Sequence, residues 1–350
     1  MQDLQTITAL SHEFGTPLYV KGGGGNTSVK NATTLWVKPS GTTLAGLTEK
    51  QFVAMNRAKI NELYAVATPK EAAAREELVK NLMAAAVEND AGRPSVEAPL
   101  HNVFEATYVV HTHPALVNGL TCGKDGAAAC ARLLPEALWV EYIDPGYTLC
   151  MEVRERICQY QAAHGQEPAI LMLKNHGVFI AGHTPDEIRR HYARVMTALQ
   201  TAYQQAQVAL TLSIATSARD LAVEEQLRAL FGADAAYLAS SGQFAYAPGP
   251  LTPDHLVYAK AFPFIGPLTA EAVAQYRQTR GYLPKVVVAG ERVYGLGASQ
   301  KHADLALELA QDAAQVLQLT AAFGGVAYMT DQARLFIENW EVESYRQKQA

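Results

Sequence analysis

Two apolar runs that carry histidines constrain this chain more than any other feature. In Tyr108-Val109-Val110-His111-Thr112-His113-Pro114 the β-branched pair reads as a strand, and residues two apart on a strand send their side chains to one face. In Leu171-Met172-Leu173-Lys174-Asn175-His176-Gly177-Val178-Phe179-Ile180 a third histidine precedes a glycine that permits close approach of backbone. Glu97, in Pro94-Ser95-Val96-Glu97, lies a short helical stretch upstream of the first pair. His111, His113 and His176 look like parts of one metal site. With Glu97 as a carboxylate that comes and goes, these form a donor set for zinc whose fourth position must open to a substrate.

A chain of 350 residues, 49% of them hydrophobic, can bury one large core or two modest ones, and the usual domain size favours two. The formal net charge of -5, spread along the sequence, leaves no basic stripe for nucleic acid, so an anionic ligand needs a local positive site. The start lacks the cationic and apolar regions of a signal peptide, and no run reaches the roughly 18 apolar residues of a membrane span. The expected address is the cytoplasm, with no membrane partner. Cys122, Cys130, Cys150 and Cys158 form no Cys-x-x-Cys pair and are expected to be small buried residues without a chemical role.

The periodicity predicts an opening helix from Asp3 to Phe14, a short strand after Gly15-Thr16-Pro17, and a strand pair around Asn31 that ends in a turn at Pro39-Ser40-Gly41-Thr42. Helices are expected over Glu71 to Glu88 and Glu97 to Glu105, and strands at His111, at Leu138 to Ile143, and at Ala169 to Leu173 with Val178 to Ala181. Thr184-Pro185-Asp186-Glu187 is a capped helix start, and that helix is expected to reach Leu212. The texture changes near Ser213, which divides the chain into a first domain, 1–212, and a smaller α/β domain, 213–350. In the latter, Pro284 to Gly290, Arg292 to Gly297 and Gln300 to Gln318 read as strand, strand and helix, with Gly290, Gly295 and Gly297 as turns. They lack the spacing of a dinucleotide fingerprint, so this part is expected to cover or order the site and not to bind nucleotide.

Four consecutive glycines before Asn26-Thr27-Ser28 cost folding entropy, which argues for a use: backbone amides that hold an anion. Pro39-Ser40-Gly41-Thr42 and Ser95 offer further donors, and Lys21, Lys30, Lys38 and Lys174 flank the loops as sources of positive field. Tyr142, at a strand end, is a candidate proton donor.

The combination of the glycine-rich Asn26-Thr27-Ser28 loop, Lys38-Pro39-Ser40-Gly41-Thr42, Pro94-Ser95-Val96-Glu97, Val109-Val110-His111-Thr112-His113-Pro114 and Lys174-Asn175-His176-Gly177-Val178 resembles the zinc-dependent class II aldolase and adducin family over about residues 10 to 205. The resemblance implies a three-layer α/β/α domain with a central, largely antiparallel sheet, working as a homo-oligomer, a tetramer in the sugar-phosphate members. It implies zinc, or Mn2+ or Co2+ in its place, held by His111, His113, His176 and Glu97, and phosphate held by Gly25, Asn26, Ser40, Gly41 and Ser95. Tyr142 matches a tyrosine that reaches a neighbouring subunit's site. Val96 stands where such aldolases often carry a second serine, and the segment from Glu97 to His111 is shorter than in the fuculose enzymes. The second half looks like the segment that follows the aldolase part of long bifunctional rhamnulose-phosphate aldolase and dehydrogenase proteins, and by that likeness the chain stops where their dehydrogenase would begin.

The implied reaction is reversible cleavage of a rhamnulose- or fuculose-1-phosphate-like ketose 1-phosphate to dihydroxyacetone phosphate and an aldehyde. Zinc stabilises the enediolate, Glu97 moves a proton with its pKa raised by a dry site, and Tyr142 serves the aldehyde oxygen. A sugar-phosphate 4-epimerase or decarboxylase would use the same ligands. A noncatalytic adducin-like interaction module is the alternative from another class, disfavoured by three intact histidines, and a plain metal hydrolase leaves the phosphate loops unexplained.

Overall fold

The computed structural model of this chain describes residues 2–69 and 71–340, so the last ten positions of the expected second domain lie outside the described residues. In chain order it contains α1 (Gln2–Glu13), β1 (Asn26–Lys30), β2 (Thr34–Val37), β3 (Val53–Asn56), α2 (Arg57–Glu62), α3 (Ala72–Ala86), α4 (Ala98–Val103), β4 (Tyr108–Thr112), α5 (Ala115–Thr121) and α6 (Gly126–Leu133). There follow β5 (Leu138–Val140), α7 (Tyr147–His164), β6 (Ile170–Leu173), β7 (Gly177–Gly182), α8 (Pro185–Gln205), α9 (Leu221–Phe231), β8 (Tyr237–Gly242) and α10 (Pro253–Tyr258). The chain closes with β9 (Phe264–Ile265), α11 (Ala270–Arg280), β10 (Val286–Ala289), β11 (Arg292–Gly297), α12 (Gln300–Leu319) and α13 (Asp331–Asn339). It is an α/β protein of two compact units: residues up to Val117 with Ala127–Leu199, and Asn118–Gly126 with the chain from Gln200 onward. No helix among the described residues is long and apolar enough to cross a membrane.

In the first unit seven strands run in the order β3-β2-β1-β4-β7-β6-β5, antiparallel except for the β5–β6 pair. Alternation along β4 decides what each face meets. Val109, with Leu171, Leu173, Phe179 and Ala181, packs against Leu100 and Phe104 at α4 and against Leu149, Val153 and Ile157 of α7. Thr112 faces the other way, where its hydroxyl meets that of Tyr192 on α8 at 2.7 Å. The Tyr192 ring stacks on Phe14, just past α1, at 4.1 Å. Helices therefore cover both faces, and the histidine of β4 points to the α4 side.

Three local expectations fail here. Residues 17–20 form a turn and not a strand, because Tyr19 and Val20 both donate their N–H to Thr16 O, at 2.9 and 3.1 Å. The helix capped at Thr184 ends at Gln205, short of Leu212, since Gln207 takes a left-handed φ of 56° that a helix cannot continue. Three cysteines are buried, but Cys158 is exposed on α7.

The second unit has the sheet β8-β11-β10-β9, with only β9–β10 parallel. Tyr294 and Leu296 of β11 join Val287 and Phe264 in a core with Leu227 and Phe231 of α9 and Val273 of α11. Gly295 and Gly297 face the opposite side, and they are not turns. A Cβ on Gly295 would lie 2.3 Å from Ala303 O and one on Gly297 2.4 Å from Ala303 N, so α12 lies directly on the strand. Gly290, with φ of 56°, does turn the β10–β11 hairpin. Buried His255 of α10 has both ring nitrogens engaged, by Thr252 at 2.9 Å and by Asp312 of α12 at 3.0 Å.

Candidate metal centre

β4 pairs with β1 on one side and β7 on the other, in a register that sets Asn26 and Phe179 opposite His111. Phe179 stacks on the His111 ring at 3.8 Å, fixing its plane. His111 Nδ1 lies 2.9 Å from Val178 O and donates to it, which leaves Nε2 as the nitrogen turned to the other imidazoles. His113 follows the end of β4, and its Nε2 is 2.9 Å from His111 Nε2. His176 sits in the β6–β7 turn, which Asn175 makes possible by adopting a left-handed φ of 53°. Gly177 then presses against β4: a Cβ there would lie 2.5 Å from Thr112 O and 2.7 Å from His113 Cδ2. No other residue would let the His176 turn close so tightly on the His113 ring.

Ligand atoms of His111, His113 and His176 lie within 4.8 Å of one another. Glu97, at the N-cap of α4, brings Oε1 to 3.3 Å from His111 Nε2 and 3.8 Å from His176 Nε2. Metal–nitrogen bonds of roughly 2.0–2.1 Å at tetrahedral angles separate donors by about 3.3 Å, so the cluster has the dimensions that a divalent ion requires. Imidazoles with one carboxylate suit zinc and its first-row neighbours. The chemistry of the donor set and its spacing thus fit a single cation.

The expectation that dryness raises the Glu97 carboxyl is half of what operates here. Burial does push it up, but His111, through charge and a hydrogen bond, together with His176, holds it well below the usual carboxylate range. His101, one turn along α4, escaped the sequence reading, although the Glu97-x-x-x-His101 spacing puts both on one helix face. It is fully buried, with Nδ1 2.8 Å from Ser28 Oγ and its ring against Phe179. Burial first, opposed by Glu97, drives it down to about 3, and it stays neutral. Its Nε2, like Asn26 Oδ1 beside His111, is buried without a hydrogen-bond partner among the described residues.

The loops expected to hold phosphate meet around Lys38. Its ammonium, on a side chain buried almost completely, donates to Thr42 O at 2.7 Å and to Gly23 O at 3.5 Å, joining the glycine-rich loop to the Ser40-Gly41-Thr42 turn. Ser95 N donates to Lys38 O and Ser40 N to Arg93 O, which adds Ser95 to the same assembly and commits the Ser40 amide, leaving its hydroxyl. Ser95 Oγ accepts the Glu97 N–H at 3.2 Å. Gly25 has φ of 70°, and a Cβ there would lie 2.8 Å from His111 O, so the loop is pinned to the histidine strand. Gly41, at φ of 81°, closes its turn. The other lysines go elsewhere: Lys21 to Pro17 O, Lys30 to Ala106 O, Lys174 to Glu141. The Tyr142 hydroxyl donates to Asp144 at 3.2 Å and to none of the four clustered residues, and burial followed by Asp144 raises its pKa, keeping it protonated.

Residues 5–203, more than half of the chain, match the family described as Class II Aldolase and Adducin N-terminal domain, and the chain belongs to that family. A curated relative, the uncharacterized oxidoreductase YuxG of Bacillus subtilis, is 27% identical over 192 residues, 52% of this chain and 26% of that protein. The chain thus spans about a quarter of that relative's length. Among solved structures, the N-terminal class II aldolase domain of a conserved protein from Thermoplasma acidophilum aligns with a TM-score of 0.50 at 23% identity, covering 57% of this chain and 92% of that one, which establishes a shared fold. The l-fuculose-1-phosphate aldolase of Thermus thermophilus aligns at 17% identity with a TM-score of 0.36, covering 57% of this chain and 95% of that one.

Proposed function

We propose that the chain is a zinc-dependent lyase that reversibly cleaves a ketose 1-phosphate of the rhamnulose or fuculose kind to dihydroxyacetone phosphate and an aldehyde. The observation that carries this reading is the convergence of three imidazoles and the Glu97 carboxylate on one point, next to loops gathered around Lys38. A divalent cation bound there supplies a Lewis acid that polarises the ketone and the neighbouring hydroxyl oxygen. Glu97 Oε1 lies 3.3 and 3.8 Å from the Nε2 atoms of His111 and His176, and a ketose bound to a cation there would displace it. The freed carboxylate is a base for the hydroxymethyl carbon of dihydroxyacetone phosphate, which is C3 of the ketose, and it is strong enough to take that proton only away from the imidazoles that hold its pKa down. The Gly25 and Gly41 amides, the Ser40 and Ser95 hydroxyls, the Asn26 side chain and the Lys38 charge bind the phosphate. Tyr142, kept protonated, donates to the aldehyde oxygen of a neighbouring subunit in a cytoplasmic homo-oligomer. The oxidoreductase name of the Bacillus relative does not oppose this, since most of that protein lies outside the match.

The test is to incubate metal-replete protein with dihydroxyacetone phosphate and a panel of aldehydes and to measure ketose phosphate formed. Condensation with at least one aldehyde, abolished by a chelator and restored by zinc, is the expected result. Absence of condensation together with epimerisation of pentulose phosphates, or release of carbon dioxide from a carboxylated sugar phosphate, assigns the site to those reactions instead.

A further inference from the structure

Beside the candidate centre, His101 keeps a ring nitrogen that meets no polar partner among the described residues. Its Nε2 is buried and unbonded among the described residues, in a side chain with no solvent exposure. The surroundings fix the ring. Ser28 on β1 holds Nδ1 at 2.8 Å, and Phe179 on β7 meets the ring at 5.3 Å, so His101 lies across β4, which separates those two strands and carries His111. Ser28 is taken as the donor to Nδ1, the arrangement that puts the ring hydrogen on Nε2. His101 N also donates to Glu97 O at 2.9 Å, the bond of one helical turn. Residues four apart on a helix share a face, and side chains lean toward its N-terminus, so the imidazole leans back toward Glu97. A buried N–H with nothing to meet is costly and rare, which calls for a partner that arrives.

We propose that His101 is a positioning residue for Glu97: when the carboxylate leaves the three imidazoles, one of its oxygens docks on the His101 Nε2–H. The inference rests on the metal-centred reading above. It gives the displaced carboxylate a defined second position, without which an anion in a dry site would compete with the incoming ligand for the cation.

The experiment compares His101→Asn, whose amide can still meet Ser28 but lacks a group at Nε2, with His101→Gln, whose amide reaches the Nε2 position. Zinc-loaded proteins are titrated calorimetrically with glycolohydroxamate, a bidentate probe that must displace Glu97. Expected are unchanged zinc content in both variants, binding weakened about 10- to 100-fold in His101→Asn, and binding within a few-fold of wild type in His101→Gln. Equal weakening in both variants, or none in either, overturns the docking role. A wild type that takes up no divalent metal sinks the functional reading itself and is distinguishable from these outcomes. Should the variants fail to fold, nitrogen NMR of the wild type decides. The Nε2–H tautomer with a solvent-protected proton is expected, and the Nδ1–H tautomer, or a crystallographic water held on Nε2 both with and without hydroxamate, overturns the proposal.

Discussion

At the scale of single residues, burial decides the charge state of His101 and of Lys30, which lies on β1 away from the clustered imidazoles. Lys30 shows the cost most clearly. Its side chain is buried on β1, donates to Ala106 O at 2.8 Å, and burial, aided by Arg57, lowers its pKa to about 7. In the unfolded chain a lysine titrates near 10.4, so between about pH 7 and about pH 10 the unfolded state carries a proton that the folded state lacks. Stability must then rise with pH across that window and become insensitive to Lys30 below it, where both states are charged. The checkable form is a comparison with Lys30→Met by urea unfolding at a series of pH values. Wild type should gain on the variant as pH rises, by up to about 1.4 kcal/mol per pH unit. A gap that stays flat would mean that the folded protein keeps the lysine charged. The same dryness explains why His101 was not legible beforehand: a lone histidine on a short helix carries no sign in sequence of whether its second nitrogen finds a partner.

At the scale of elements, the central strands were readable and their surroundings were not. The strands at His111 and on either side of Asn175 follow from β-branched runs and an apolar stretch, and α1, α3 and α12 from helical composition, because in each case local preference and burial agree. The elements missed, among them β3, α2, α5 and α7, carry mixed patterns whose assignment depends on which neighbour covers them. Gly295 and Gly297 were misread for the same reason, since a glycine required by an overlying helix looks the same in sequence as one required by a turn. The β6–β7 hairpin is the element on which the site depends most, because its left-handed Asn175 places His176. Asn175→Gly removes a buried side chain but keeps that backbone, whereas Asn175→Val must force it, at a cost of about 1–2 kcal/mol beyond the glycine variant. The thermal midpoint and the zinc content should therefore fall further in Asn175→Val than in Asn175→Gly. Equal losses would show that the Asn175 side chain, and not its backbone conformation, positions the histidine.

At the scale of the whole molecule, the chain passes between the two compact units more than once. It leaves the first unit after Val117, contributes Asn118–Gly126 to the second, and returns at Ala127. Within the second unit that excursion is tied by backbone bonds, Lys124 N to Gly325 O at 2.9 Å, Asp125 N to Phe323 O at 3.0 Å and Ala327 N to Cys122 O at 2.7 Å. Gly119 and Gly123 have room for no Cβ, meeting Leu319 and Phe323 at 2.5 and 2.7 Å. A fragment of residues 1–212 keeps the three histidines, Glu97 and the whole seven-stranded sheet, yet loses every one of these partners. Cys122, fully buried in the whole chain, also loses Leu251, whose carbonyl its thiol meets at 3.6 Å. The three backbone groups left to water lose bonds worth about 0.5–1.5 kcal/mol each. The fragment should accordingly melt well below the full chain and expose apolar surface to a hydrophobic dye. By the proposed reading, supplying zinc should raise its midpoint, since a metal that binds only the folded state draws the equilibrium toward it. If the fragment instead matches the full chain in midpoint and dye binding, the excursion contributes nothing to stability, and the first unit is self-sufficient as the carrier of the site.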